Sequence, residues 1–250
     1  MKTIKALAAV LLLAPALSFA AGEDVKLDRA PINPDDRVSL QRGAHAFVNY
    51  CLNCHSASYM RYNRLQDLGL TEQQIRDNLV FSGVKVGELM KTSMDPVEAK
   101  EWFGTTPPDL SVIARSRSSH AGSGADWLYT YLRTFYRDES RPTGWNNVVY
   151  PNVGMPHALW QLQGDQVLKE VQEPGPGYMR TVHKLALEKP GTLSPSAYNE
   201  LVADLVNYMA YMAEPARHAR VTVGLYSLLV IFILIALSYV LKKAYWKDVH

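Results

Sequence analysis

Two cysteines stand in a chain of 250 residues, three positions apart, at Cys51 and Cys54. They leave no second pair to complete a four-cysteine zinc site, and the seven histidines offer no close pair to replace it. A surplus of one charge sign is missing too: 26 Lys and Arg face 24 Asp and Glu, a net charge of +2. Without a basic surplus, nucleic acid is excluded as the expected partner. No internal repeat or low-complexity tract is evident, and Pro and Gly are spread along the chain. A solenoid, an array or a disordered linker protein is therefore not expected.

Long apolar runs do occur, at the two ends. Lys2 and Lys5 precede an apolar stretch from Ala6 to Leu17, and Ser18, Phe19 and Ala20 then form a small-x-small cleavage pattern. This is the layout of a secretory signal peptide over residues 1–20, too short in its apolar part to span a bilayer. The second run, Val221 to Leu241, has no charged residue. At 1.5 Å per helical residue it reaches roughly 31 Å, enough for one membrane crossing. Lys242 and Lys243 end it, with Tyr239, Tyr245 and Trp246 at the interface. Export from the N-terminus leaves residues 21–220 periplasmic and 242–250 cytoplasmic. Between Gly22 and Arg220 there are 21 basic and 23 acidic residues, a net charge of −2.

Within that part, apolar residues recur at helical spacing over Val38–Tyr50, Asp126–Tyr136 and Ala197–Met212. The expected fold is mainly α, a single domain with long loops. Loops of this length need something to pack on, and a large bound cofactor would supply it. From Leu65 to Asp109 eight acidic residues face only Arg76, Lys85, Lys91 and Lys100. That stretch reads either as a solvated face or as a docking surface for a basic protein.

The cofactor is indicated by Cys51-Leu52-Asn53-Cys54-His55, the attachment pattern for c-type haem. Cysteines three apart share one face of a helical turn, so both sulfurs can reach the vinyl groups of one porphyrin. His55 then lies under the iron as proximal ligand. A thiol-disulfide redox pair and half of a zinc site use the same spacing. Neither a strand-helix pattern of the thioredoxin type nor further zinc ligands surround it.

For a sixth ligand a methionine suits electron transfer, because His-Met ligation raises the potential. Of eight methionines, Met155 stands apart. It lies in Tyr150-Pro151-Asn152-Val153-Gly154-Met155-Pro156-His157, where Gly154 permits close backbone approach and Pro156 stiffens the turn. Met94, Met60 and His157 are the rivals.

Several separated segments, in order, resemble cytochrome c1. They begin with Leu40-Gln41-Arg42-Gly43, Val48-Asn49-Tyr50 before the haem motif, and Ser58-Tyr59-Met60-Arg61-Tyr62-Asn63-Arg64-Leu65 after it. Pro107-Pro108-Asp109-Leu110-Ser111, Arg115 with Arg117, Gly154-Met155-Pro156 and Tyr211-Met212-Ala213-Glu214-Pro215 follow. The spacing of about one hundred residues from His55 to Met155 also looks more like this family than like the smaller soluble cytochromes c.

The resemblance implies one haem c held by two thioethers, with His55 and Met155 on the iron. It implies that Pro108 packs on the haem, that Arg117 (or Arg115) reaches a propionate, and that Trp127 and Leu132 line the pocket. It implies a subunit of the quinol:cytochrome c reductase in a bacterial cell membrane. There it would relay single electrons from a Rieske iron-sulfur protein to a cytochrome c beside cytochrome b, transforming no substrate itself. A haem-c subunit of another membrane oxidase or reductase, and a thiol oxidoreductase, are the competing readings. Two stretches depart from the family: Glu101-Trp102-Phe103-Gly104-Thr105-Thr106, where haem contacts are not carried over, and Ser118–Gly124, which makes His120 a loop residue.

Overall fold

The structure is a computed structural model that describes residues 26–174 and 178–247. The signal-peptide expectation for residues 1–20 therefore lies outside the described residues.

Helix α1 (Arg37–Ala46) starts where the Asp36 side chain accepts from the Ser39 amide, satisfying one of the open N–H groups of the first turn. It runs on as a π-helical turn, Phe47–Cys51, that delivers the first cysteine. Strand β1 (Ala57–Arg61), a 3₁₀ turn (Tyr62–Leu68), α2 (Glu72–Leu79), β2 (Leu89–Met90) and α3 (Pro96–Phe103) follow. Next come α4 (Ile113–Ser116), α5 (Gly124–Arg133), β3 (Phe135–Arg137) and β4 (Trp145–Asn147). The chain continues through α6 (Trp160–Gln163), β5 (Gly164–Pro174), β6 (Met179–Pro190), α7 (Pro195–Ala213) and α8 (Arg217–Tyr245). The strands form three separate antiparallel pairs, β1–β2, β3–β4 and β5–β6.

The core is built where α1 crosses α7. Ser194 caps α7 by accepting from the Ala197 amide, and Pro195 fits its first turn. Tyr198, Val202, Leu205, Val206, Met209 and Met212 then return at helical spacing as one buried face. Gly43 is what lets the two helices meet, since a Cβ there would sit 2.0 Å from the Asp204 carbonyl oxygen and 2.7 Å from the Tyr208 Cβ. Beside it Arg42 grips the Asp204 carboxylate with two hydrogen bonds, at 2.5 and 3.1 Å. The Tyr208 ring packs 5.6 Å from that of Phe47, so α7 supports the haem-motif turn from behind. The segment before α1 straps α5, with the Asp28 amide donating to Thr130 Oγ1 and the Ala30 amide to Asp126 Oδ1.

Each of the three expected soluble helices forms. Residues 134–136 leave the third-turn continuation of α5, because Phe135 and Tyr136 pair with Asn147 and Asn146 across β3–β4. Helix α8 is longer than the apolar run: its membrane-compatible part is Ala219–Tyr245, with no side chain buried in the protein. The long β5–β6 hairpin was not expected from sequence. Its strands pair from Gly164↔Pro190 to Pro174↔Met179 with Val171, Met179 and Leu187 exposed. No face of it is cleanly buried, so no apolar alternation announces it.

Gly43→Ala is expected to destabilise the protein. Alanine favours a helix over glycine by about 1 kcal/mol, but overpacking against rigid backbone costs about 1–3 kcal/mol or more. Thermal denaturation of the detergent-solubilised protein should show a lowered Tm; an unchanged or raised Tm would contradict the close crossing.

Candidate haem site

The Cys51-to-His55 segment closes into one turn, with the Cys54 and His55 amides both donating to the Cys51 carbonyl, at 3.1 and 2.9 Å. Both thiols are free rather than joined to each other. Burial pushes the Cys51 thiol up to about 12, with help from neighbouring Cys54, and burial pushes Cys54 up as well. A thiol-disulfide catalyst works through a lowered pKa, so this environment opposes that reading.

His55 Nδ1 donates to the Pro108 carbonyl at 2.7 Å, which fixes the tautomer and leaves Nε2 as the free lone pair. Burial lowers the His55 pKa against the opposing pull of that bond and of Asp109, so the ring is neutral, as a metal ligand requires. Within the structure Pro108 contributes this carbonyl to the site. Its segment is lashed down on both sides. The Leu110 amide donates to the Ser56 carbonyl at 2.8 Å, and the Tyr59 amide to Ser111 Oγ at 3.0 Å. Asp109 accepts from the Ser58 and Ser111 amides, each at 2.8 Å. Burial alone would raise the Asp109 pKa, but the Ser111 and Ser58 hydrogen bonds outweigh it and hold the group below the usual carboxylate range.

Met155 sits on a loop held by buried amides. Asn147, fully buried, donates from Nδ2 to the Tyr131 carbonyl and accepts at Oδ1 from the Val149 and Tyr150 amides. Asn146 Oδ1 accepts from the Asn152 amide at 2.8 Å. Asn152, the one non-glycine with a left-handed φ (62°) among the described residues, is clasped by Arg141 at its side chain and carbonyl. Gly154 lies against Phe103 and Thr105, where a Cβ would approach to 3.1 and 3.2 Å. The Met155 sulfur accepts a hydrogen bond from Tyr131 Oη at 3.3 Å.

The rivals to Met155 have other work. His157 is buried, its Nε2 donates to Gln163 Oε1 at 2.7 Å, and its ring stacks on Phe135 with Trp145 at its edge. Burial brings its pKa down to about 4, so it is a neutral core residue. Met60 is buried in β1 as part of the core. Met94 is half-buried in the loop before α3, with its amide bonded to Thr92 Oγ1.

Trp127 stacks on Tyr131 at a centroid separation of 4.7 Å and Phe135 meets Tyr131 edge-to-face at 4.9 Å, along α5 and its end, with Tyr150 edge-on to Trp127. Arg117 lies over both Trp127 and Tyr150, 4.6 and 5.6 Å from the ring centres. It is half-buried and, among the described residues, pairs with no carboxylate. Arg115 is exposed. A half-buried guanidinium without its counter-ion suits a haem propionate, and Arg117 rather than Arg115 provides it. Leu132 is buried on α5, and exposed His120 sits in the turn closed by Ser119 and Gly122.

The residues fit a haem c: two unpaired thiols on the turn of an oriented neutral imidazole, a thioether on a rigid loop, and an unpaired guanidinium over an aromatic wall. Cys51, Trp127 and Met155 all pack against one hydrophobic core. Sequence reasoning missed Tyr131, Arg141, Asn146, Asn147 and Asp109 as parts of this site. The signals were faint: Tyr131 is one helical turn beyond Trp127, and the Asn pair precedes the methionine loop by a few residues.

Asn147→Ala strands the Val149 and Tyr150 amides and takes one of its donors from the Tyr131 carbonyl. At about 1–3 kcal/mol for a buried group left without its partner, the midpoint of urea unfolding should fall clearly. A midpoint equal to that of the parent protein would show that the amide does not hold the loop.

The Cytochrome C1 family model matches residues 29–170 and 191–249, and its gap takes in the end of β5 and all of β6. The chain is 51% identical over 250 residues to a protein of Nitrosomonas europaea named ammonia monooxygenase gamma subunit, covering 100% of both. It is 47% identical over 247 residues to cytochrome c1 of Allochromatium vinosum, covering 98% of both. It is 24% identical to cytochrome b/c1 of Bradyrhizobium diazoefficiens, covering 100% of this chain and 41% of that one. With the family model spanning most of its length and a cytochrome c1 matched nearly end to end, the chain belongs to the Cytochrome C1 family.

Proposed function

We propose that this chain takes single electrons from a Rieske iron-sulfur protein and passes them to a cytochrome c. The setting is that of its family, a haem-c electron-transfer subunit of the membrane-bound bc1 complex beside cytochrome b. The observation that carries the reading is the Cys51–Cys54–His55 turn, with its imidazole held through Nδ1 by the Pro108 carbonyl.

Bound haem supplies a one-electron iron couple. Cys51 and Cys54 would hold it through thioethers, and His55 Nε2 and Met155 Sδ would ligate its iron. Pro108 orients His55, while Arg117 would neutralise a propionate and Trp127 would help close the wall against water. In this reading residues 1–20 direct export, 21–220 form the periplasmic domain, 221–241 cross the membrane and 242–250 remain in the cytoplasm. The eight acidic residues from Asp67 to Asp109 are all exposed, which suits docking of a basic cytochrome c.

A second reading, a haem-c subunit of another membrane enzyme, is favoured by the monooxygenase name of the Nitrosomonas relative. Mild-detergent purification from native membranes separates the two. Co-purifying cytochrome b and Rieske protein, with the haem reduced by quinol, is the expected result; arrival with other partners and no quinol reduction would leave only the second. Covalent attachment has its own check. Haem staining should survive a denaturing gel and vanish in the Cys51→Ser, Cys54→Ser double variant, and staining lost from the parent protein on denaturation would exclude thioethers.

A further inference from the structure

We infer that Tyr131 tunes the redox potential of this protein by donating its hydroxyl hydrogen bond to the sulfur of Met155, and that it is a positioning residue for that ligand. The inference rests on the reading of Met155 as the sixth iron ligand.

The geometry around Tyr131 fixes the donor. Its side chain is buried, stacked at 4.7 Å on Trp127 and met at 4.9 Å by the edge of Phe135, so the ring cannot swing. Its hydroxyl reaches Met155 Sδ at 3.3 Å, the one acceptor it has among the described residues. A buried hydroxyl without an acceptor is destabilising, so the sulfur contact is held by the cost of losing it. The acceptor is fixed by the same neighbour. Asn147 bonds the Tyr131 carbonyl at 2.8 Å and, through Oδ1, the amides of Val149 and Tyr150 that begin the methionine loop. One buried amide thus ties both ends of the Tyr131–Met155 contact.

The chemistry follows from the thioether. Its sulfur has two lone pairs, so one can bind a metal while the other accepts from Tyr131. A hydrogen bond withdraws electron density from the sulfur and makes it a weaker donor. The oxidised, more positive metal depends on that donation more than the reduced one, so the bond favours the reduced state and raises the potential.

The test is a spectroelectrochemical titration of the intact detergent-solubilised complex carrying Tyr131→Phe, which removes the hydroxyl and keeps the ring. At fixed ambient potential the ratio of oxidised to reduced haem should rise roughly threefold, a fall in midpoint of about 30 mV at 59 mV per tenfold for one electron. Tyr198→Phe is the control. It removes another buried hydroxyl packed on α5, the one donating to the Leu132 carbonyl at 2.7 Å, and should lower stability while leaving the midpoint at its parent value. An unchanged or raised midpoint in Tyr131→Phe, or an equal fall in both variants, would overturn the inference and leave Tyr131 a core filler. Met155→Leu, titrated alongside, keeps the two claims apart. It should lower the midpoint far more and abolish the methionine-to-ferric-iron charge-transfer absorption. If it changes neither, Met155 is not the ligand and the Tyr131 inference falls with it.

Discussion

The hydrogen bond from His55 to the Pro108 carbonyl joins two stretches 53 residues apart, and the rest of the site is arranged around it. An imidazole on a short turn can rotate; bonded through Nδ1 it presents one nitrogen in one direction. The carbonyl can serve only if its own strand is fixed, which explains why Asp109 and Ser111 spend their side chains on the Ser58 and Tyr59 amides. The turn bearing His55 is fixed from the other side by α7, whose Tyr208 packs on Phe47 one turn before Cys51. That contact in turn needs the bare backbone of Gly43.

The methionine side solves the same problem without a helix. A loop exposes backbone polar groups that must find partners, and here Asn146, Asn147 and Arg141 provide them. Side-chain amides suit this task because each offers donors and acceptors in a plane, mimicking the strand that the loop lacks. The aromatic series Trp127–Tyr131–Phe135 then joins the loop to α5, with Arg117 capping its open end. Both halves of the site thus hang on side-chain-to-backbone hydrogen bonds more than on regular secondary structure, which suits a protein whose core must leave room for a large planar group.

Much of this was legible beforehand. The spacing of Cys51, Cys54 and His55 is chemistry that tolerates little variation, and the apolar periodicity of α1, α5 and α7 reports burial directly. Gly154 and Pro156 marked the methionine loop for the same reason. The Pro108 carbonyl was not legible, because backbone acceptors leave no trace in residue identity. Neither was the work of Asn146 and Asn147, since a polar residue in a loop looks the same whether solvated or buried. The β5–β6 hairpin escaped because its apolar residues fall on both faces, with Leu168 opposite Leu185 on one side and Val171 opposite Val182 on the other. The end of β5 and all of β6 are also what the family model leaves unmatched, so the resemblance gave no help there.

The central claim is that one iron lies between His55 and Met155 within this frame. An experimental density map of the haem-loaded complex tests it most directly. The account predicts iron bonded to His55 Nε2 and Met155 Sδ, thioether density at both cysteines and His55 Nδ1 still on the Pro108 carbonyl. Iron bonded instead to Met60, Met94 or His157, or cysteines joined in a disulfide, would contradict it.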